Sequence, residues 1–325
     1  MQKPQLVFAL CVVASTLTAC GASPTGSAAP HLATPDRVVL ISVDGLRGDA
    51  MAGMPTLAAL RDRGLWTDSM RTVLPALTVP GHLSMLTGRD VTTLGVVSND
   101  LDEHYALNLV MNGASTVFDW VRGAGGTSAA VAGAAFVPAD RRADAERLFG
   151  VDSLVAADPT EDSVRAQAVG IERAGKEPTL LFVHFSGADE AGHETGWIVP
   201  GVRTAAGSDS LAPGYVAATL RVDSAIAGVW ASLAADVEAG RTALIITADH
   251  GGGHGDHCAA TPDEPAFREH CSSASGDLMI PFVLVAKGVA HAKLPAGSRI
   301  TQVAPTVGAL LRAWMPKAVD TPVAY

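Results

Sequence analysis

Three short apolar runs constrain this chain most: Arg37-Val-Val-Leu-Ile-Ser-Val43, Pro178-Thr-Leu-Leu-Phe-Val-His-Phe185 and Ala243-Leu-Ile-Ile246. Each is nearly continuous in apolar residues rather than alternating. That is the mark of a strand buried on both faces, as in a parallel sheet. Helical patterns lie between and around them. Met54 to Gly64 sets Leu57 and Leu60 at helical spacing with Gly64 as a C-cap, and Thr116 to Gly123, Asp162 to Ala174, Gly214 to Ala235 and Val303 to Trp314 also read as helices. Further strands are expected at Ser69 to Leu74, Thr127 to Ala132 and Met279 to Ala286, with a turn over Pro75 to His82 and a helix beginning at Leu83. Because strand and helix alternate, the expected fold is α/β: a three-layer α/β/α sandwich with a mostly parallel central sheet.

The three runs end in polar groups. After the first stands Asp44. After the second comes Ser186-Gly-Ala-Asp189-Glu-Ala-Gly-His193, and after the third Asp249-His250-Gly-Gly-Gly-His254-Gly-Asp-His257. In an open α/β sheet, ligands sit beyond the carboxyl ends of the strands. Asp189 and His193 are four residues apart and share a face if that segment is helical. Three carboxylates and several imidazoles gathered at one sheet edge repel or lie idle without a cation. Carboxylate with imidazole suits zinc, and a pair of divalent ions suits in-line displacement at phosphorus. Taken alone, the third segment also reads as a polar turn whose histidines cap backbone groups.

Four motifs now stand in order: Val-Asp44-Gly, Pro-x-x-Thr78-x-Pro-x-His, Asp189-x-x-x-His193 and Asp249-His250-Gly-Gly. Together they resemble the alkaline phosphatase superfamily, in its type I phosphodiesterase/nucleotide pyrophosphatase branch, from Val38 to about Leu311. The resemblance implies an alkaline-phosphatase-like fold and a hydrolase with two Zn2+ ions. One zinc is then held by Asp44, Asp249 and His250 and touches Thr78; the other is held by Asp189, His193 and a later histidine. Thr78 becomes the nucleophile and forms a phosphothreonine intermediate. An alcohol is a poor nucleophile at neutral pH, and a bound cation favours its alkoxide. Asn99, in Gly95-Val-Val-Ser-Asn99, matches the family's asparagine-bearing segment, and its amide can donate to a developing phosphoryl oxygen. For the later histidine, counting forward from the glycine turn gives His257, and counting back from Ile280-Pro281-Phe282 gives His270. His257 is taken first, His270 second and His254 third. His82 is expected to pack or hydrogen-bond behind the nucleophile, and His184 to be a satisfied core histidine.

Monoesterases of similar type carry a Lys-x-Arg pair that grips the extra phosphate oxygens. None stands between Asn99 and Asp162, where Arg141-Arg142 is the nearest cationic cluster. A monoester dianion demands more positive charge than a diester, so the sequence favours a phosphodiester or nucleotide pyrophosphate substrate, with phosphomonoesters as the alternative. Thr and His in place of a Cys/Ser-x-Pro-x-Arg motif argue against the sulfatase branch. A non-catalytic metal- or ligand-binding envelope lipoprotein is the remaining reading. Trp66, Tyr105, Phe118, Trp120, Phe136 and Trp197 are the aromatic candidates for stacking a nucleobase, with a place in the core the alternative for most of them.

Composition bears on partners and compartment. A net charge of −10 argues against a nucleic-acid duplex as partner and repels anionic substrates unless metal ions supply local positive charge; the small phosphoester or nucleotide is what the resemblance implies. Lys3, the apolar stretch Leu6 to Ala14 and Leu17-Thr-Ala-Cys20 resemble a bacterial lipoprotein signal, an ordinary secretory signal being the alternative. Residues 1–19 are therefore expected to be removed and Cys20 to carry lipid at the membrane. Residues 20–35 read as a flexible tether, and 36–325 as the catalytic domain, exported to the cell envelope or periplasm. No later segment reads as a membrane helix. Cys258 and Cys271 are expected to form a disulfide, with metal binding by Cys258 the alternative.

Overall fold

The computed structural model describes residues 34–99, 114–133, 149–255, 265–317 and 319–325, together with Ala143 and Glu146. His31, His104, Tyr105, Phe136, Arg141, Arg142, His257 and Cys258 lie outside the described residues, as do the signal segment and most of the tether.

Ten strands are described. They are β1 Arg37–Val43, β2 Leu65–Arg71, β3 Ser128–Gly133, β4 Ser153–Ala157, β5 Leu180–Phe185, β6 Ile198–Arg203, β7 Asp209–Leu211, β8 Thr242–Thr247, β9 Met279–Val285 and β10 Ala292–Lys293. Eight form one sheet in the order β10-β2-β9-β8-β1-β5-β3-β4, and β6 with β7 makes a separate hairpin. Only β9 runs against its neighbours; the other pairings are parallel. All seven residues of β1 and all six of β5 and of β8 are buried, as their unbroken apolar sequences require.

Helices cover both faces. Pro55–Arg61, Glu161–Glu172, Gly187–Thr195 and Pro213–Ala239 pack together on one side, and Thr78–Thr87, Val117–Gly123 and Val303–Leu310 on the other. The fold is the expected α/β/α sandwich. Helix Pro213–Ala239 differs from the sequence reading in one respect, since by length and composition it is apolar enough to cross a membrane. Its apolar stripe of Val222, Ile226, Val229 and Leu233 is instead buried inside the domain, and its Asp223 caps the amides of Thr56 and Leu57 at 2.8 and 2.9 Å. It is a core helix.

Two boundaries moved for identifiable reasons. The second strand lies at Leu65–Arg71 rather than Ser69–Leu74, because it pairs antiparallel with β9 through a register shift between Thr67 and Met70. The helix expected from Leu83 begins at Thr78 and runs through Pro80. Proline is tolerated there because amides of the first helical turn have no intrahelical acceptor to lose. This earlier start places Thr78 at the first position of the helix.

Candidate active site

The sheet order brings three of the marked strand ends side by side. β1 lies between β8 and β5, with Val43 opposite Phe185 and Ser42 opposite Thr247. Neighbouring strands are roughly 4.8 Å apart, so Asp44, the segment after Phe185 and Asp249 leave the sheet within about 10 Å of one another. The segment after β5 is helical, Gly187–Thr195, and this aligns Asp189 and His193 one turn apart, Oδ2 to Nε2 3.6 Å. Two glycines permit the crowding. Gly45 adopts φ +66°, and a Cβ there would meet the Asp189 backbone at 2.8 Å; at Gly81 it would meet the Asp249 carbonyl at 2.7 Å.

Two ligand clusters result. Asp44, Asp189 and His250 have donor atoms within 4.8 Å of one another, and so do Asp189, His193 and His270. Asp249 joins the first, with Oδ2 3.3 Å from His250 Nε2, and Asp189 is common to both. Thr78 Oγ1 lies 3.1 Å from His250 Nε2. Asn99 accepts the Val79 amide on its Oδ1 at 3.0 Å, so its carboxamide stands beside the start of the Thr78 helix with the NH2 as its remaining donor.

The histidines are arranged as ligands. Nδ1 of His193 donates to the Arg268 carbonyl at 2.8 Å, that of His250 to the Gly251 carbonyl at 2.7 Å, and that of His270 to the Ala76 carbonyl at 2.6 Å. A carbonyl can only accept, so the proton is fixed on Nδ1 and Nε2 is presented toward the carboxylates, as metal ligation requires. Buried carboxylate oxygens complete the picture. Asp44 Oδ1, Asp189 Oδ1 and Asp249 Oδ2 have no hydrogen-bond partner. Buried carboxylate oxygens that nothing donates to are costly unless a cation sits against them. The donor set therefore fits a pair of divalent cations.

Electrostatics points the same way. Burial drives the Asp189 carboxyl well above the ordinary range, and the Asp44 carboxylate pushes it further. Burial opposes charge on His250, but Asp249, Asp44 and Asp189 outweigh it and lift its pKa to about 10. Without a metal, a proton on His250 supplies the positive charge that these acids demand; a bound cation would replace it. Burial also raises the free energy of a charged Asp44, but the hydrogen bond from His184 and the nearby positive charge of His250 prevail and hold its pKa well below the usual carboxylate value.

The structure places the other expected residues as follows. Of the later histidines among the described residues, His270 reaches the site, and its ring stacks on that of His250 at 3.8 Å and 12°; His257 lies outside the described residues. His254 faces elsewhere, toward Asp209 and Asp277 at 3.3 and 3.4 Å. His82 stands behind Thr78, with Nδ1 2.8 Å from the Thr78 carbonyl and 3.3 Å from Asp249 Oδ2. Of the aromatics, Phe118, Trp120 and Trp197 are core residues, which corrects their reading as base-stacking candidates. Trp197 lies under the site instead, donating to the Gly45 carbonyl at 2.9 Å and meeting the His193 ring edge-on at 5.0 Å. Trp66 packs between Arg61 and Lys293.

Comparison with known proteins follows the geometry. A family model described as type I phosphodiesterase/nucleotide pyrophosphatase matches residues 38–306. The bis(5'-adenosyl)-triphosphatase enpp4 of Xenopus laevis is 30% identical over 95 residues, which is 29% of this chain and only 20% of that protein. Murine ectonucleotide pyrophosphatase/phosphodiesterase 5, solved in complex with AMP, superposes with a TM-score of 0.60 at 15% identity, over 89% of this chain and 97% of the other. A putative sulfatase from Bacteroides thetaiotaomicron gives 0.64 at 16% identity, over 89% and 73%. At these identities the structural likeness establishes a shared fold.

Proposed function

Since this chain belongs to the type I phosphodiesterase/nucleotide pyrophosphatase family, we propose that it hydrolyses phosphodiester or nucleotide pyrophosphate bonds through Thr78 with two zinc ions. The observation that carries this reading is the meeting of three imidazoles whose Nε2 atoms face three carboxylates, each with a buried oxygen, with the Thr78 hydroxyl at their edge. Asp44, Asp249 and His250 would hold one ion, in reach of Thr78. Asp189, His193 and His270 would hold the other. His270 takes the place that the sequence count gave to His257, because its Nε2 lies 3.8 Å from Asp189 Oδ1. Bound cations would supply Lewis-acid stabilisation of the attacking and leaving oxygens.

The chain's own residues do the rest. Thr78 attacks phosphorus; the alcohol or phosphate leaving group departs, and the retained phosphoryl group stays esterified to Thr78 until water releases it. The amide of Asn99 donates to a phosphoryl oxygen, and the helix N-terminus beneath Thr78 favours the anion. The AMP complex of the murine neighbour supports a nucleotide-sized substrate. The same reading takes residues 1–19 as an export signal, Cys20 as the lipid-bearing residue at the membrane, residues 20–35 as a tether and residues 36–325 as the catalytic domain of an envelope protein, with Cys258 bonded to Cys271.

Diester and monoester readings differ in charge. Among the described residues, no lysine or arginine is ion-paired with Asp44, Asp189 or Asp249, whose charged neighbours are histidines. The purified protein is therefore expected to turn over bis-p-nitrophenyl phosphate with a kcat/KM at least about tenfold above that for p-nitrophenyl phosphate, a difference of roughly 1.4 kcal/mol. A preference for the monoester of similar size would reverse the assignment of substrate class.

A further inference from the structure

His184 is a buried polar group that the mechanism leaves unused. It sits in the middle layer of the molecule, on β5 opposite Ser42 of β1, and is wholly buried. Its Nε2 is 3.2 Å from Asp44 Oδ2. A carboxylate can only accept, so Nε2 carries the proton and donates. Asp44 is thereby divided. Oδ2 is tied down behind the site by His184, while Oδ1 has no hydrogen-bond partner and faces His250 Nε2 at 3.2 Å.

The His184 ring is held in turn. The ring of His82 meets it edge-on with centroids 5.0 Å apart, and His82 Nε2 lies 3.0 Å from the Ser42 hydroxyl. Ser42, His82 and His184 make a polar layer beneath the ligand cluster, each at most 1% exposed. An apolar residue would fill the β5 position at less cost, since burying an imidazole requires a partner for its N–H. That partner here is a candidate metal ligand.

We propose that His184 is a positioning residue, which locks the Asp44 carboxylate so that Oδ1 is presented to the cation shared with Asp249 and His250. The inference rests on the proposed two-cation reading of the site. A hydrogen bond from behind removes the rotational freedom of the carboxylate about its terminal torsion. It also keeps one oxygen from competing for the ion, and outer partners of this kind are typically worth 10–100-fold in metal affinity.

The test compares His184→Leu, which keeps the volume and loses the donor, with His184→Gln, whose amide reaches the same point as Nε2. Zinc affinity is measured on each purified variant by competition with a chromophoric chelator, alongside the melting temperature of the metal-free protein. For His184→Leu, the weaker of two zinc dissociation constants is expected to rise about 10–100-fold, while the metal-free melting temperature holds or increases. His184→Gln is expected to bind at least about fivefold more tightly than His184→Leu. Wild-type zinc affinity in His184→Leu would overturn the assignment, as would equal losses in both variants accompanied by a lower metal-free melting temperature. If the wild-type protein bound no zinc, the two-cation reading itself would fall, and this inference with it.

Discussion

Thr78→Ala is expected to lower kcat toward a phosphodiester by about 10,000-fold, roughly 5.5 kcal/mol, with zinc content and melting temperature close to wild type. The size follows from what the side chain does. Its hydroxyl sits 3.1 Å from His250 Nε2 at the first position of a helix, where the backbone favours an incoming anion. Removing the oxygen leaves the ligands, the helix terminus and Asn99 in place, but nothing to attack with. The residue is half-buried and gives up one neutral-to-imidazole hydrogen bond, a stability cost of about 1 kcal/mol. Thr78→Ser, which keeps the hydroxyl, is expected to retain most of the activity. An alanine variant within tenfold of wild type would remove Thr78 from the reaction.

Asp249→Asn is the second large effect. Turnover is expected to fall by about 1,000-fold or more, because a neutral amide is a poor ligand for the cation nearest Thr78. Stability should move the other way. Asp249 is wholly buried near the Asp44 and Asp189 carboxylates, and like charges in so dry a place disfavour one another. The Asp249 charge adds to the pressure that lifts the Asp189 carboxyl, behind burial and Asp44. Asparagine keeps an oxygen for the Gly45 amide, which Asp249 Oδ1 now accepts at 3.3 Å. The metal-free variant is therefore expected to melt at or above the metal-free wild type. A lower melting temperature, with activity lost in parallel, would mean that Asp249 serves the fold rather than a cation.

Much of this site was legible because the strands that carry it are apolar from end to end, so their ends are visible in the sequence. Asp44 and Asp249 stand one or two residues past such ends, and strand adjacency does the rest. Asp189 and His193 were readable from their four-residue spacing once a helix was assumed. The approach of His270 to the site was not readable. It depends on how the chain returns after the glycine turn, and no local pattern encodes that path. Backbone bonds from Gly253 to the Glu269 carbonyl and from Gly255 to the Ala266 carbonyl, both 2.9 Å, bring the later segment back against the turn. His270 then docks on the Ala76 carbonyl and stacks on His250.

His184 shows a different limit. Inside an apolar strand it reads as core, and it is core; its bond to Asp44 depends on the β1–β5 register, which the sequence does not state. Trp197 misled in the opposite direction. An aromatic residue near a ligand motif suggests a stacking surface, yet its ring is wholly buried, close against Gly192 and Gly252. Edge elements were the hardest to read. Strand β4 and the β6–β7 hairpin are short and partly exposed, so they carry no unbroken apolar run to mark them.

The proposed chemistry needs two cations held by acids and imidazoles drawn from separate strand ends. Its most direct test is the number of zinc ions bound per chain, counted by elemental analysis of the purified protein after dialysis against buffered micromolar zinc. Two per chain is the expected result. One ion or none, in protein that still hydrolyses a phosphodiester, would contradict it.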